Sequence, residues 1–175
     1  VEFCLDITLR KRAERAQAAL YRISEAAQAA SSPHELYRSI RAIVGELMPT
    51  RNFYIALFDP TTQTLRFPYY VDEFDAPPPP AKPGRGLTEF VLRTGKPLLA
   101  TPQVFQQLVQ SGEVESIGAP SVDWLGVPLQ TPGGETIGVM AVQTYTEDVR
   151  LNTSDQEILG FVSAQIAMGV ERKQA

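Results

Sequence analysis

The sequence predicts an α+β domain, an antiparallel sheet flanked by helices and preceded by a long N-terminal helix. Three observations carry this. The first thirty residues hold apolar positions at helical spacing with no Gly or Pro. Two later stretches each place paired period-two runs around a turn, as β-hairpins do. Helical patterns then bracket and separate those hairpins, and hairpin-linked strands pair antiparallel. At 175 residues, with 43% hydrophobic and 21% charged residues, the chain is long enough for a core without staples.

Leu9, Ala13, Ala16, Leu20, Ile23, Ala27 and Ala30 recur at alternating steps of four and three. That is the a/d spacing of a two-stranded seam, so the first six are predicted to form a homodimer seam. Leu9 to Ala30 would make a rod of about 33 Å. The same small-residue stripe also suits a helix packed on its own domain. Ser32, Pro33 and Glu35 then predict a capped start for a second helix, burying Leu36, Ile40, Ile43, Val44 and Leu47 and stopping at Pro49.

Phe53 to Phe58 reads as a strand buried on both faces, turned by Asp59-Pro60 and Thr61-Thr62-Gln63. Its partner, Leu65 to Val71, contains Pro68 and is therefore predicted at a sheet edge. Asp72 to Gly86, with prolines at 77–80 and 83, reads as a stiff extended crossing outside the ladder. Short helices follow at Leu87 to Arg93 and from Thr101-Pro102 to Gly112. Asp123 to Leu129 and Thr136 to Tyr145 flank Gly133-Gly134 as the clearest hairpin. Thr153 and Gln156 predict a capping box for a last helix carrying Ile158, Phe161, Val162, Ile166 and Val170. The long helices are expected to cover one sheet face. The proline loop and short helices cross the other, leaving a concavity between sheet and loop for a small ligand.

Chemistry is sparse. One Cys and one His make any Cys–His pair Cys4 with His34, and a rod's length separates them. No His/Cys cluster has zinc spacing, so no metal is expected. Asp72, Glu73 and Asp75 read as solvated loop acids, and Gly84-Arg85-Gly86 as a turn that also has the makings of an anion cradle with Arg85 as charge partner. His34, in a cap position, reads as structural. A net charge of −4 and a pI near 5.1 argue against nucleic acid as partner. The chain has no uncharged apolar run long enough to span a membrane. A single cysteine suits a reducing, cytoplasmic setting, and Val1 in place of Met suggests a piece of a longer protein. Tyr54, Phe67, Tyr69 and Trp124 on the strands, Arg85 in the loop and Gln143 in an otherwise apolar strand are the predicted ligand contacts.

Several segments carry a family resemblance. Gly126-Val127-Pro128-Leu129, Gly138 to Val142 and Asn152-Thr153-Ser154-Asp155 resemble the second half of a GAF domain; Phe53 to Asp59 and Gly86 to Leu98 resemble its first half. The likeness runs from about Ser31 to Arg172. Asp6 to Glu14 is similar to the end of a PAS domain entering a signalling helix, which divides the chain into residues 1–8, a signalling helix at 9–30 and a GAF domain at 31–175. The resemblance implies a sheet of about six strands with a ligand cavity opposite the terminal helices. It also implies a sensory module of a bacterial multi-domain protein such as a sensor histidine kinase or diguanylate cyclase, relaying a ligand or PAS signal to neighbouring domains. Bilin-binding members attach their chromophore to a cysteine near the pocket, and Cys4 lies outside the matched region, so no covalent bilin is expected. The Asn-Lys opening of the cyclic-nucleotide pattern is absent. A structural dimerisation spacer without ligand is the alternative. An enzymatic role, as in free-standing sulfoxide reductases of the same fold, would need redox cysteines around the pocket.

Overall fold

The structure, a computed structural model, describes residues 2–174. The elements run α1 (Glu2–Ala29), α2 (Pro33–Val44), β1 (Asn52–Asp59), β2 (Thr64–Val71), α3 (Leu87–Thr94), β3 (Leu98–Ala100), α4 (Pro102–Gln110), β4 (Trp124–Gln130), β5 (Thr136–Gln143) and α5 (Thr153–Gln174). The strands form one antiparallel sheet in the order β2-β1-β5-β4-β3. Its α+β class and flanking helices are those expected. It has five strands rather than six, because the proline run supplies only a single bridge, Ala81 to Leu65, beside β2. Prolines lack the amide protons a longer ladder would need. That bridge still corrects the expectation that the crossing stays wholly outside the sheet. β2 is an edge strand, as Pro68 requires. β3 has three residues, too short for a period to show in the sequence.

Strand alternation divides the interior. Phe53, Ile55 and Leu57 of β1, Leu125, Val127 and Leu129 of β4, and Met140 and Val142 of β5 face the helices and form the main core. Tyr54, Trp124, Val139 and Ala141 face the other way, with Val91 of α3 and Ala100 of β3. Leu36, Ile40, Ile43 and Val44 of α2 and Leu159, Val162 and Ile166 of α5 fill the helix side. Leu47 is only partly buried, and Phe161 is 62% exposed. The buried stripe of α5 is thus rotated from the expected one, and the side chain of Val170 lies outside the described residues. Asn152 and Asp155, not Thr153 and Gln156, make the reciprocal cap of α5: each accepts the other's backbone N–H at 3.0 Å. Burial holds the Asp155 carboxyl above its usual range. Ser32 caps α2 as expected, accepting the Glu35 amide, while the Glu35 carboxylate reaches back to Ser31.

The N-terminal seam is corrected in part. α1 is one continuous helix that packs on α5 and α2, and Ala16, Ala19, Ile23 and Ala27 are buried in the chain's own core. Small residues permit this: a Cβ built on Gly169 of α5 would stand 3.3 Å from that of Ala27. Ala16, Ile23 and Ala27 are therefore interior residues. Leu20 is half-buried, and Leu9 and Ala13 remain exposed. No described helix is long and apolar enough to cross a membrane.

Candidate functional site

A cavity of about 580 Å³ lies between the sheet face that carries Tyr54 and the crossing segments 75–89 and 115–121. It falls within the range of small-molecule sites. One registered row runs beneath it: Tyr70 of β2 opposite Tyr54 of β1, both lining the cavity, then Ala141 of β5, then Gly126 of β4. The space over Gly126 is taken by the Trp124 indole, which a side chain at that position would displace. The Trp124 indole N–H donates to the Tyr54 hydroxyl at 2.9 Å, and that hydroxyl shares a 2.7 Å hydrogen bond with Thr88 of α3. Burial drives the Tyr54 hydroxyl pKa far above its ordinary value, so the phenol stays neutral and acts through its ring and hydrogen bonds. Tyr70 stacks on Tyr54 at 5.1 Å, and Phe67 sets its edge against both, at 5.6 and 5.9 Å.

Of the six predicted contacts, Tyr54, Phe67, Trp124 and Gln143 line the cavity. Tyr69 and Arg85 do not, and each has a physical reason. Between Ile55–Tyr69 and Leu57–Arg66 the register slips, so Phe67 and Pro68 together oppose Ala56. A bulge of this kind resets the alternation. Phe67 and Tyr70 consequently share the cavity face, while Tyr69 turns into the main core beside His34, Tyr37 and Phe53. Tyr70 takes the place expected of Tyr69. The Arg85 guanidinium donates to the Gly112 carbonyl, tying the loop before α3 to the end of α4.

The acids at 72–75 anchor the crossing instead of floating in solvent. The Asp72 carboxylate accepts from Gln143 at 2.8 Å, from Tyr145 at 2.8 and 2.9 Å, and from the amides of Phe74 and Asp75. Gln143, the polar interruption of β5, finds its partner there. Glu73 is held by Asn52 and Arg51. Asp75 accepts the Ala119 amide on both oxygens, at 3.1 and 3.2 Å, and so joins the two crossing segments. Burial, followed by the charges of Asp72 and Asp75, pushes the Tyr70 hydroxyl up to about 12.

Directly before Trp124, the wholly buried carboxylate of Asp123 receives two bonds from Arg150, at 2.8 and 3.0 Å, and the Leu151 amide at 2.9 Å. It therefore ties the cavity wall to the segment that enters α5. Sequence reasoning passed over Asp123, Thr88 and Glu89. The one available signal was an acid directly preceding an apolar strand.

The family model described as GAF domain matches residues 30–171. The chain belongs to the GAF family. The GAF domain of a phosphoenolpyruvate-protein phosphotransferase from Coxiella burnetii aligns with a TM-score of 0.71 at 15% identity, covering 93% of this chain and 96% of that one. The corresponding domain from Acinetobacter aligns at 0.65 and 16%, covering 90% and 93%. Free methionine-R-sulfoxide reductase from Neisseria meningitidis, determined with its substrate, aligns at 0.69 and 14%, covering 91% and 90%. No curated protein matches by sequence. At such identities the structures show a shared fold. GAF domains are a regulatory fold of signalling proteins, and some neighbours with that fold are sulfoxide reductases.

Proposed function

We propose that this GAF domain is a non-catalytic sensory module of a larger bacterial signalling protein of the histidine kinase or diguanylate cyclase type, working in the cytoplasm. A small molecule enters the cavity and changes how the sheet and α5 pack, and α1 carries the change to neighbouring domains, including a PAS domain on its N-terminal side. The observation that carries this reading is the cavity itself, whose sheet side is an aromatic floor of Tyr54, Phe67, Tyr70 and Trp124. Its relay is the Asp123–Arg150–Leu151 link, which runs from the residue beside Trp124 to the start of α5. Ligand control requires different affinity for two packings of these elements.

A second copy belongs to this reading. Leu5 and Leu9 are exposed on α1 at 59% and 53%, in line with exposed Ala13, and Phe161 is exposed on α5. These apolar groups lie on the side of the sheet away from the cavity, where paired helices transmit discrete rearrangements. A reductase reading finds less support, because Cys4 is exposed on α1, the helix that packs on the opposite face. Mutual packing of the three floor rings favours, as the second reading, a structural spacer without ligand.

The test is a panel of small amines, amino acids, carboxylates and nucleotides, followed by thermal unfolding and by emission of Trp124, the sole tryptophan. A compound at about 100 times its dissociation constant adds about 2.7 kcal/mol. At least one class is expected to raise the unfolding temperature and shift the emission. A flat response across the panel would favour the spacer.

A further inference from the structure

The cavity walls are unevenly charged. Asp75, Glu89 and Glu115 line it, against Lys82 as the one lysine or arginine among the described lining residues. Two of these acids occupy the positions an anionic ligand would use. Gly86 caps α3 without a side-chain bond, which leaves a helix N-terminus pointing at the cavity rim. Glu89 folds back over it: one carboxylate oxygen accepts the Gly84 amide at 2.9 Å, and the other lies 3.2 Å from where a Cβ on Gly86 would stand. At the segment 115–121, Asp75 covers the Ala119 amide with both carboxylate oxygens. Arg85, which had the makings of an anion partner, is bound to the Gly112 carbonyl.

The floor complements these acids. Aromatic faces carry a negative quadrupole, and cations settle over them within about 6 Å of the ring centroid. Tyr54, Phe67 and Tyr70 form a compact group of such faces and edges, and Trp124 adds the strongest cation-binding ring type. The negative field reaches the rings: after burial, Asp72 and Asp75 raise the Tyr70 hydroxyl, and Glu89 contributes to the rise at Tyr54.

We propose that the cavity takes a small organic cation, an ammonium group on an apolar or aromatic body. The ammonium lodges between the floor rings and the carboxylates of Glu89 and Asp75, and the body lies against Phe105 and Ile117 of the roof. This rests on the reading of the cavity as a receptor site. An anion of the same size meets carboxylates where it needs donors, and each such clash opposes binding.

Three probes that share one body separate charge from shape: phenethylammonium, 2-phenylethanol and phenylacetate. Their binding to the full chain is followed by calorimetry and by Trp124 emission at low and high salt. Phenethylammonium is expected to bind about tenfold more tightly than the alcohol and phenylacetate most weakly, with the gap narrowing as salt rises. Glu89→Gln should reduce the preference for the cation. Glu115→Gln, at an exposed rim position, should reduce it by a smaller factor in a chain whose circular dichroism is unchanged. Equal binding of cation and alcohol, or tighter binding of phenylacetate, overturns the charge assignment while leaving the cavity a receptor. Absence of binding and of any emission change for all three overturns the cation assignment, and the receptor reading falls with it when the wider panel is also without response.

Discussion

Gly126→Ala is the sharpest probe of how the floor is built. A Cβ at this position would stand 2.1, 2.6 and 2.9 Å from three carbons of the Trp124 indole. Residues 124 and 126 share a strand face, and the indole lies flat over the glycine because nothing else projects there. The added methyl forces the ring off a site where it is only 3% exposed and breaks its 2.9 Å bond to Tyr54. The lost hydrogen bond costs about 1 kcal/mol, and overpacking a full interior adds about 1–3 kcal/mol. Together they amount to about 2–4 kcal/mol, a fall of roughly 5–15 °C in unfolding temperature for a chain of this size. Urea unfolding followed by circular dichroism measures the loss. The emission of the sole tryptophan should move to the red as the indole enters water. A variant within about 0.5 kcal/mol of the parent, with unchanged emission, would refute the placement of Trp124 over Gly126.

Other consequences follow from the same packing. Burial alone would raise the Asp123 carboxyl, but the Arg150 and Leu151 bonds and the Arg150 charge outweigh it and hold the group below the usual carboxylate range. A depressed folded value means that its contribution is complete above about pH 4, the ordinary carboxylate value. It is lost as the pH falls through the lower folded value. Asp123→Asn should thus be less stable by about 1–3 kcal/mol at neutral pH, with the difference closing in acid; urea titrations at two pH values check this. On α1, Ile23→Ala should cost about 2–5 kcal/mol because Ile23 is interior. Leu9→Glu, at an exposed position, should stay within about 0.5 kcal/mol in urea unfolding and convert a dimer to a monomer in light scattering. A parent chain that is already monomeric at high concentration would remove the second copy from the proposal.

Much of the fold was legible because its signals are local. Period-two runs around Gly133-Gly134 and around Asp59 to Gln63 gave both hairpins, and Pro68 placed β2 at the edge. The misses arise where two solutions share one local pattern. The small-residue stripe from Leu9 to Ala30 fits a partner helix in another chain or in the same one, and only tertiary packing on α5 and α2 shows that Ala16, Ile23 and Ala27 are interior while Leu9 and Ala13 stay exposed. At the start of α5, Asn152–Asp155 and Thr153–Gln156 both have capping-box spacing, and the structure uses the first pair. Within the site, Phe67 and Tyr69 stand two residues apart, the spacing that puts side chains on one face of a regular strand. The register slip opposite Ala56 replaced Tyr69 with Tyr70, and a bulge leaves no mark in the alternation itself beyond Pro68. Asp72 and Asp75 looked like loop acids because their partners, Gln143, Tyr145 and Ala119, lie far along the chain.

The receptor reading places a ligand on one sheet face and its effect on the other, with Asp123 between them. Amide hydrogen exchange of the full chain, with and without saturating phenethylammonium, reads both faces at once. The expected result is slowed exchange in segments 72–86 and 115–121 around the cavity, together with a change at Leu151 to Asp155, where α5 begins. Exchange that is unaltered throughout, or altered only at sites remote from the cavity, would contradict it.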